Sequence, residues 1–382
     1  MPLSAKKTLD KYLVPTTSKT LDILEAFRST GEELTLREVT ERTRIPHTTA
    51  FRILFTLVHR GYISQVGSKK YRLNPARRPI RVGLAGLSQN VAVSVSAVRS
   101  FTEAARQSGI EVIVLDNQDN GDVAIANARQ LVSEAVDIAV EFQNNAQAAP
   151  AIADIFARAR IPTIAIHIPQ PGAVYFGPNN YRAGWTAGTT LAKFALTEWQ
   201  GQVDHLLLLD ISIGGPTLQA RMSGVVAGLK QALGSFDEDR IIRVDGEGDR
   251  TRSMKVTEAK LAELPAGSRV LISATSDENA LGALDALRRL PGKVAAAIVG
   301  HDGTESALAA IAVPDSPFIG TVSFNSHDYG PALVDLIMKI LGGRQVDPFV
   351  YVSHELIDRE SLRLRSVALS QQSQQSTANS AT

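Results

Sequence analysis

The sequence predicts an α/β protein in two unequal parts, a small basic module ahead of a large domain built on parallel sheets. Three observations carry this. Charge is divided along the chain: residues 1–78 hold 15 Lys and Arg against 7 Asp and Glu, so this segment is +8 and the remainder −7, although the whole is only +1. Apolar residues up to about position 60 recur at helical spacing and are followed by a short hairpin pattern. From position 80 onward, eight short and nearly continuous apolar runs alternate with amphipathic stretches, the pattern of parallel strands covered on both faces. A chain of 382 residues, 44% apolar and 21% charged, is a globular composition with room for two or three compact units.

Residues 1–17 are polar and aperiodic and read as a leader, flexible or briefly helical. The first helix is expected over Ser18 to Arg28, where Leu21, Ile23, Leu24 and Phe27 share a face and Gly31 follows as a stop. Thr35-Leu36-Arg37-Glu38 has the form of a capping box, so a second helix should start there and run to about Thr43. Pro46 opens a third, in which Ala50, Ile53, Leu54 and Leu57 fall at i, i+3, i+4 and i+7. Its other side carries Thr48, Phe51 and Arg52, with His47 at the exposed first turn, residue types that touch phosphates and base edges. Gly61 is expected to end it, and strands at Tyr62 to Val66 and Lys70 to Leu73 flank the turn Gly67-Ser68-Lys69. Three helices and a basic hairpin make a winged helix-turn-helix.

The segment from Ser18 to Asn74 resembles the DNA-binding domain of IclR-type regulators over its full length, most specifically in LDILEAF, LTLREVTERTRIPHTTAFRIL, the GYI after the third helix and the closing KKYRLN. The resemblance implies a third helix that enters the major groove of double-stranded operator DNA, in a dimer, and a wing that meets phosphates. The candidate DNA contacts are Thr35, Arg37, His47, Thr48, Thr49, Phe51, Arg52, Lys69 and Lys70. Arg52 suits either base reading or phosphate clamping, and His47 and Thr49 suit either contact or helix capping. A winged helix used for protein contacts is the competing reading.

Pro75 to Pro79 is a stiff basic connector in which no helix continues. The runs RVGLAGL, EVIVLD, DIAVEF, PTIAIHI, HLLLLDI, RVLISA, AAAIVGHD and FIGTVSF then predict doubly wound sheets, more than one lobe holds. Open parallel sheets bind ligands beyond the carboxyl ends of their strands. The polar residues there are Ser88, Gln89 and Asn90, then Gln143 and Asn144, His167, Ser276 and Asp277, and His301 and Asp302. Amides and carboxylates in such number suit a hydroxyl-rich ligand.

This second part, Ile80 to about Arg365, resembles the type I periplasmic sugar-binding proteins and the effector domains of lac-repressor-like regulators. SFTEAARQSGIEVIVLDNQDN, PNNYRAGWTAG, ARMSGVVAGLKQAL, TSDENALGALDAL and IVGHDGT carry the likeness. It implies a two-lobed, doubly wound parallel-sheet domain of the periplasmic-binding-protein-like kind. Lobe 1 would span about 80–178 and 325–349, lobe 2 about 179–324 and 350–365, with crossings near Gly177, Phe324 and Phe349. Carried over by position, it implies ligand contacts from Asn90, Arg221, Ser276 or Asp277, Asp302, and the Phe324-Asn325 crossing, with Arg221 and Asp302 foremost. Gln143, His167 and Asn180 complete the candidates. Asp277 reads equally as a helix N-cap, Asp302 as a turn residue, His167 as a satisfied polar group, and Asn179-Asn180 as a cap. Ala92-Val93 and His167-Ile168 depart from the family pattern at the aromatic pair and at the Asp-Arg pair. Phe142, Tyr175, Phe324 and Trp185 are possible replacements for ring stacking.

The sequence has no cysteine, which excludes disulfides, thiolate metal ligands and thiol nucleophiles. An aromatic share of 5% speaks against single-strand stacking. GxGxxG, Walker and HExxH motifs are absent, so neither cofactor nor metal nor enzymatic activity is expected. No apolar signal segment is apparent, and no window approaches the roughly 18 apolar residues of a membrane span, so the expectation is a cytoplasmic protein. The reading is a ligand-responsive transcription regulator, a homodimer or higher homo-oligomer, whose effector is a sugar or related small polar molecule. A solute receptor of a sugar transport or signalling system is the alternative. The tail from Ser366, polar and almost uncharged, is expected to be disordered.

Overall fold

The computed structural model describes residues 14–29, 31–74 and 79–364, which fall into two compact units, the second beginning at Arg81. The expectations for the connector at 75–78, the tail beyond 364 and most of the leader lie outside the described residues.

In the first unit, α1 spans Pro15–Glu25, three residues earlier than the spacing predicts, because Pro15 fits the first turn where a missing N–H costs nothing. A short strand β1 (Glu33–Thr35) precedes α2 (Leu36–Thr43). The capping box is formed: Thr35 Oγ1 accepts from the Glu38 N–H, and the Glu38 carboxylate accepts from the Thr35 N–H at 2.7 Å. Arg44 ends α2 with φ 57°, and α3 follows as His47–His59, stopping two residues short of Gly61. Ala50, Ile53, Leu54 and Leu57 of α3 are all buried, packed with Ile23, Phe27, Val39 and Ile63 in one core. Each Leu or Ile so buried contributes about 1.5–3 kcal/mol, so this stripe holds the module together. The strands β2 (Ile63–Val66) and β3 (Lys70–Leu73) form the wing, and β1 completes an antiparallel sheet in the order β1-β3-β2. The sequence pattern passes over β1 because three residues are too few to show alternation.

The second unit holds two six-stranded sheets. The first, lobe 1, is parallel throughout, in the order β14-β8-β7-β6-β4-β5, comprising Phe349–Val352, Val174–Pro178, Thr163–Ile166, Ile138–Phe142, Arg81–Gly86 and Glu111–Asp116. The second, lobe 2, runs β10-β9-β11-β12-β13-β15, comprising Ile241–Asp245, His205–Asp210, Ser268–Ala274, Val294–Asp302, Phe318–Ser323 and Glu355–Asp358, with only β15 antiparallel. The eight runs picked out in the sequence are all strands. The four others, β8, β10, β14 and β15, are short or partly polar and lie toward the sheet edges.

The chain crosses between sheets after β8, after β13 and after β14. The third crossing lies at Ser353-His354, not at Phe349, because Phe349 to Val352 pair with Tyr175 to Pro178 in the first sheet. In each sheet the strand order reverses beside one strand, β4 in lobe 1 and β9 in lobe 2, which opens a crevice at the carboxyl ends.

Two helices of lobe 2, α7 (Asn180–Trp199) and α8 (Gly215–Leu233), approach backbone to backbone. A Cβ on Gly184 would lie 1.8 Å from the Arg221 carbonyl oxygen, and one on Gly224 would lie 2.1 Å from that of Tyr181. Only glycine permits this approach, and it fixes where Arg221 emerges from α8.

Candidate functional site

On α3 the face opposite the core is the exposed one. His47, Thr48, Phe51, Arg52 and Phe55 lie on it, while Thr49 is half-buried at its edge. Pro46 occupies the N-cap position with no side-chain hydrogen bond, so neither His47 nor Thr49 caps the helix. Thr35 does cap α2, its hydroxyl spent in the box with Glu38. Arg37 forms a 2.8 Å ion pair with Glu41, and Lys70 lies 3.4 Å from Glu33, both on exposed surface where such pairs exchange readily for other partners. Lys69 sits exposed in the wing turn. The structure thus separates the candidates into the exposed α3 face, the wing tip and the α2 start.

The large domain has a small cavity at the crevices of its two sheets. Lobe 1 contributes Leu87, Val91, Val93, Asp119, Phe142, Asn144 and His167, and lobe 2 contributes Ile211, Leu218, Arg221, Gly248, Thr275, Ser276, Glu278, Asp302 and Thr304. Nearly all lie in the first residues after β4, β5, β6, β7, β9, β10, β11 and β12, where the strand order dictates that a ligand should bind. The cavity volume is about 50 Å³, well below the roughly 300–1,000 Å³ of ligand pockets. An outer groove of about 880 Å³ adjoins it, sharing Ala92, Val93, Asp302 and Thr304 as walls.

Arg221 is the centre of the arrangement. It is 3% exposed; its Nε donates to Asn180 Oδ1 at 2.9 Å, its Nη1 donates to the Thr275 carbonyl, and its guanidinium lies over the Phe324 ring. These contacts come from α7, the end of β11 and the second crossing, so three elements aim one cation at the cavity. Asn180 therefore braces Arg221, and the capping role falls to Asn179, which accepts from the Arg182 N–H.

Asp277 is not the N-cap of its helix α10 (Asp277–Arg289). Ser276 is, its hydroxyl accepting from the Asn279 N–H at 3.2 Å. The Asp277 carboxylate is buried and accepts from the Thr304 N–H at 2.7 Å and from the hydroxyls of Thr304 and Thr321. It thereby holds the Asp302-Gly303-Thr304 turn, in which Asp302 takes φ 119° and reaches the cavity wall. Of the two residues that the likeness offered as alternatives, Ser276 lines the cavity. Burial raises the Asp302 pKa well above the usual carboxylate range, the nearby Asp277 adds to this, and Arg221 opposes it.

His167, at φ 64°, is buried, with Nε2 3.0 Å from the Tyr329 hydroxyl, and it packs edge-on against Phe142 at 4.8 Å between ring centroids. Burial, with a smaller push from Arg221, lowers its pKa to about 3, so it is a neutral donor or acceptor at neutral pH. Gln143, just after β6, is buried and without a hydrogen-bond partner for its amide, off the cavity, whereas its neighbour Asn144 is on the wall. Asn90 and Asn325 line the outer groove. Among the aromatic replacements, Phe142 lines the cavity, Phe324 is fully buried beneath Arg221, Tyr175 is buried and bonded to the Pro178 carbonyl, and Trp185 is on the outer side, bonded to Gln231. Asp119, Thr275 and Glu278 were not singled out. Asp119 and Thr275 follow recognisable strands, so the strand-end rule reaches them if applied to every run.

Among the described residues no group of three or more His, Asp or Glu side chains is placed to hold a metal ion, and no helix is long and apolar enough to cross a membrane.

Residues 86–345 match the periplasmic binding protein domain family, and residues 16–67 match the IclR helix-turn-helix domain. Neither is a family of enzymes. The ribose import binding protein RbsB of Bacillus subtilis (strain 168) is 23% identical over 273 residues, covering 71% of this chain and 84% of that protein. Among solved structures, a periplasmic solute binding protein from Actinobacillus succinogenes with bound D-allose aligns with a TM-score of 0.62 at 19% identity, over 74% of this chain and 99% of the other. A solute binding protein from Bacillus halodurans with bound myo-inositol aligns at 0.63 and 20%, over 76% and 99%. At these identities the structural likeness concerns the fold.

Proposed function

The chain belongs to the periplasmic binding protein domain family and carries an IclR helix-turn-helix domain, and we propose that it is a DNA-binding transcription regulator gated by a small polyhydroxylated effector. One observation carries the reading: a basic winged helix is fused, in one chain, to two sheets whose strand-end loops converge on a polar cavity around Arg221 and Asp302. The arginine fork suits ring oxygen and hydroxyl together, and Asp302, Ser276 and Asn144 offer further hydroxyl partners. Phe142 supplies an apolar face to a sugar ring. The relatives that bind ribose import substrates, D-allose or myo-inositol support a sugar or cyclitol as the effector class.

The chemistry proposed is binding rather than turnover, as no nucleophile with an oriented base is assembled at the cavity. Because about 50 Å³ does not admit a sugar, the lobes of the liganded protein stand further apart than here, and ligand binding changes their separation at the three crossings. That change of lobe separation shifts the spacing of two winged helices in a homodimer, as in lac-repressor-like logic, and operator affinity changes with it. On this reading the protein works in the cytoplasm. A transport receptor would use the large domain alone and leaves the fused basic module without a role. Gel-shift titration of the full chain against the DNA upstream of its own gene, at fixed salt, tests the proposal. Retardation that survives scrambled competitor supports it, and equal binding to both sequences counts against it.

A further inference from the structure

The exposed face of α3 carries two large apolar side chains among its polar ones. Phe51 is 48% exposed and Phe55 65% exposed, one helical turn apart, with ring centroids 6.4 Å apart. Thr48 and Arg52 flank them on the same face. Nothing in the module's own core needs these rings, since Ala50, Ile53, Leu54 and Leu57 fill the buried side. Exposed phenylalanines beside Thr48 and Arg52, on a segment that carries an excess of Lys and Arg, call for a partner that is both polyanionic and apolar at one place. Double-stranded DNA is such a partner: phosphates meet the Lys and Arg of the module, and in the major groove the thymine C5-methyl is the apolar group that a Phe ring can touch.

We propose that Phe51 and Phe55 form a thymine-reading pair, and that each operator half-site presents thymine methyls, on one or both strands of adjacent base pairs, against the two rings. This rests on the DNA-binding reading above and deepens it by naming the base feature that is read. Thr48 and Arg52, on either side of the pair, then read or clamp the neighbouring positions.

The pair predicts a dependence on single methyl groups. Duplexes selected by the full-length protein from a randomised library should share thymines at fixed positions in each half-site. Replacing each of these by uracil removes only the methyl and keeps every Watson-Crick and phosphate contact. Affinity should fall about fourfold per methyl, the equivalent of about 0.8 kcal/mol for one buried carbon group. In Phe51→Ala and Phe55→Ala the uracil penalty should disappear at the positions that each ring covers, while the slope of affinity against salt stays that of the parent. The uracil arm needs no variant, so misfolding cannot mimic its result. Selected sequences that bind equally well with uracil throughout would overturn the pairing while leaving the DNA-binding reading intact. A monomer produced by Phe55→Ala, with the uracil penalty unchanged, would overturn it in favour of a self-association surface. Enrichment of no sequence at all would overturn the DNA-binding reading, and the pairing with it.

Discussion

The guanidinium of Arg221 lies over the face of Phe324, with its central carbon 4.7 Å from the ring centroid. The two residues belong to different parts of the domain, Arg221 to a helix of lobe 2 and Phe324 to the segment by which the chain crosses back to lobe 1. A cation held on an aromatic face and bonded to Asn180 and the Thr275 carbonyl is fixed in direction before any ligand arrives. Arg221→Lys keeps the charge but loses the planar fork and both directed bonds. We expect effector affinity to fall about 100-fold, in keeping with about 2–3 kcal/mol for charge-assisted bonds, as read by isothermal titration. An affinity within threefold of the parent would remove Arg221 from the site.

The glycine approach that positions Arg221 should be visible in stability. In Gly184→Ala the new methyl meets the Arg221 carbonyl at 1.8 Å, so α7 and α8 must part. A loss of about 3 kcal/mol is expected, at the upper end of overpacking costs, together with weaker effector binding because Arg221 moves. Gly234→Ala is a contrast of a different kind: nothing lies within 4 Å, and the cost there comes from its φ of 85° alone. Urea unfolding of the two variants separates the mechanisms, since only the first should alter ligand affinity.

Glu141 gives a pH dependence of definite sign. It is wholly buried on β6, one oxygen accepting from Asn117 Nδ2 at 2.9 Å, and burial raises its pKa to about 8, with the Asn117 bond opposing. The folded value lies above the unfolded value of about 4.3. Its contribution to stability is therefore fully present below pH 4.3 and is lost as pH rises toward 8. Glu141→Gln keeps the shape and the bond without the ionisation. Chemical unfolding should show this variant gaining on the parent steadily between pH 5 and 8. A constant difference across that range would mean that Glu141 does not titrate as its burial dictates.

The legibility of the molecule in its sequence follows physical lines. The core stripe of α3 and the capping box at Thr35 are local patterns of period 3.6 or fixed spacing, and both stand where the spacing puts them. The strands buried on both faces announce themselves as apolar runs, whereas edge strands such as β14, only four residues long with Phe349 and Tyr351 exposed, are too short to stand out. Within the site, Arg221, Ser276 and Asp302 were reachable from strand ends and family likeness. The division of labour between Ser276 as cap and Asp277 as support for the Asp302 turn was not, because the partners Thr304 and Thr321 lie 27 and 44 residues away. The His167 to Tyr329 contact, spanning 162 residues, is likewise a product of the fold alone.

On the proposed function, the ligand cavity and the winged helix's binding to DNA share a free energy. Fluorescence anisotropy of a labelled upstream duplex, titrated with the full-length protein at fixed salt with and without saturating sugar or cyclitol, measures it directly. At least one such compound is expected to shift DNA affinity by fivefold or more, within the range typical of allosteric coupling of about 1–3 kcal/mol, and DNA to shift the affinity for that compound by the same factor. A compound that binds the cavity tightly and leaves DNA affinity unchanged would contradict it.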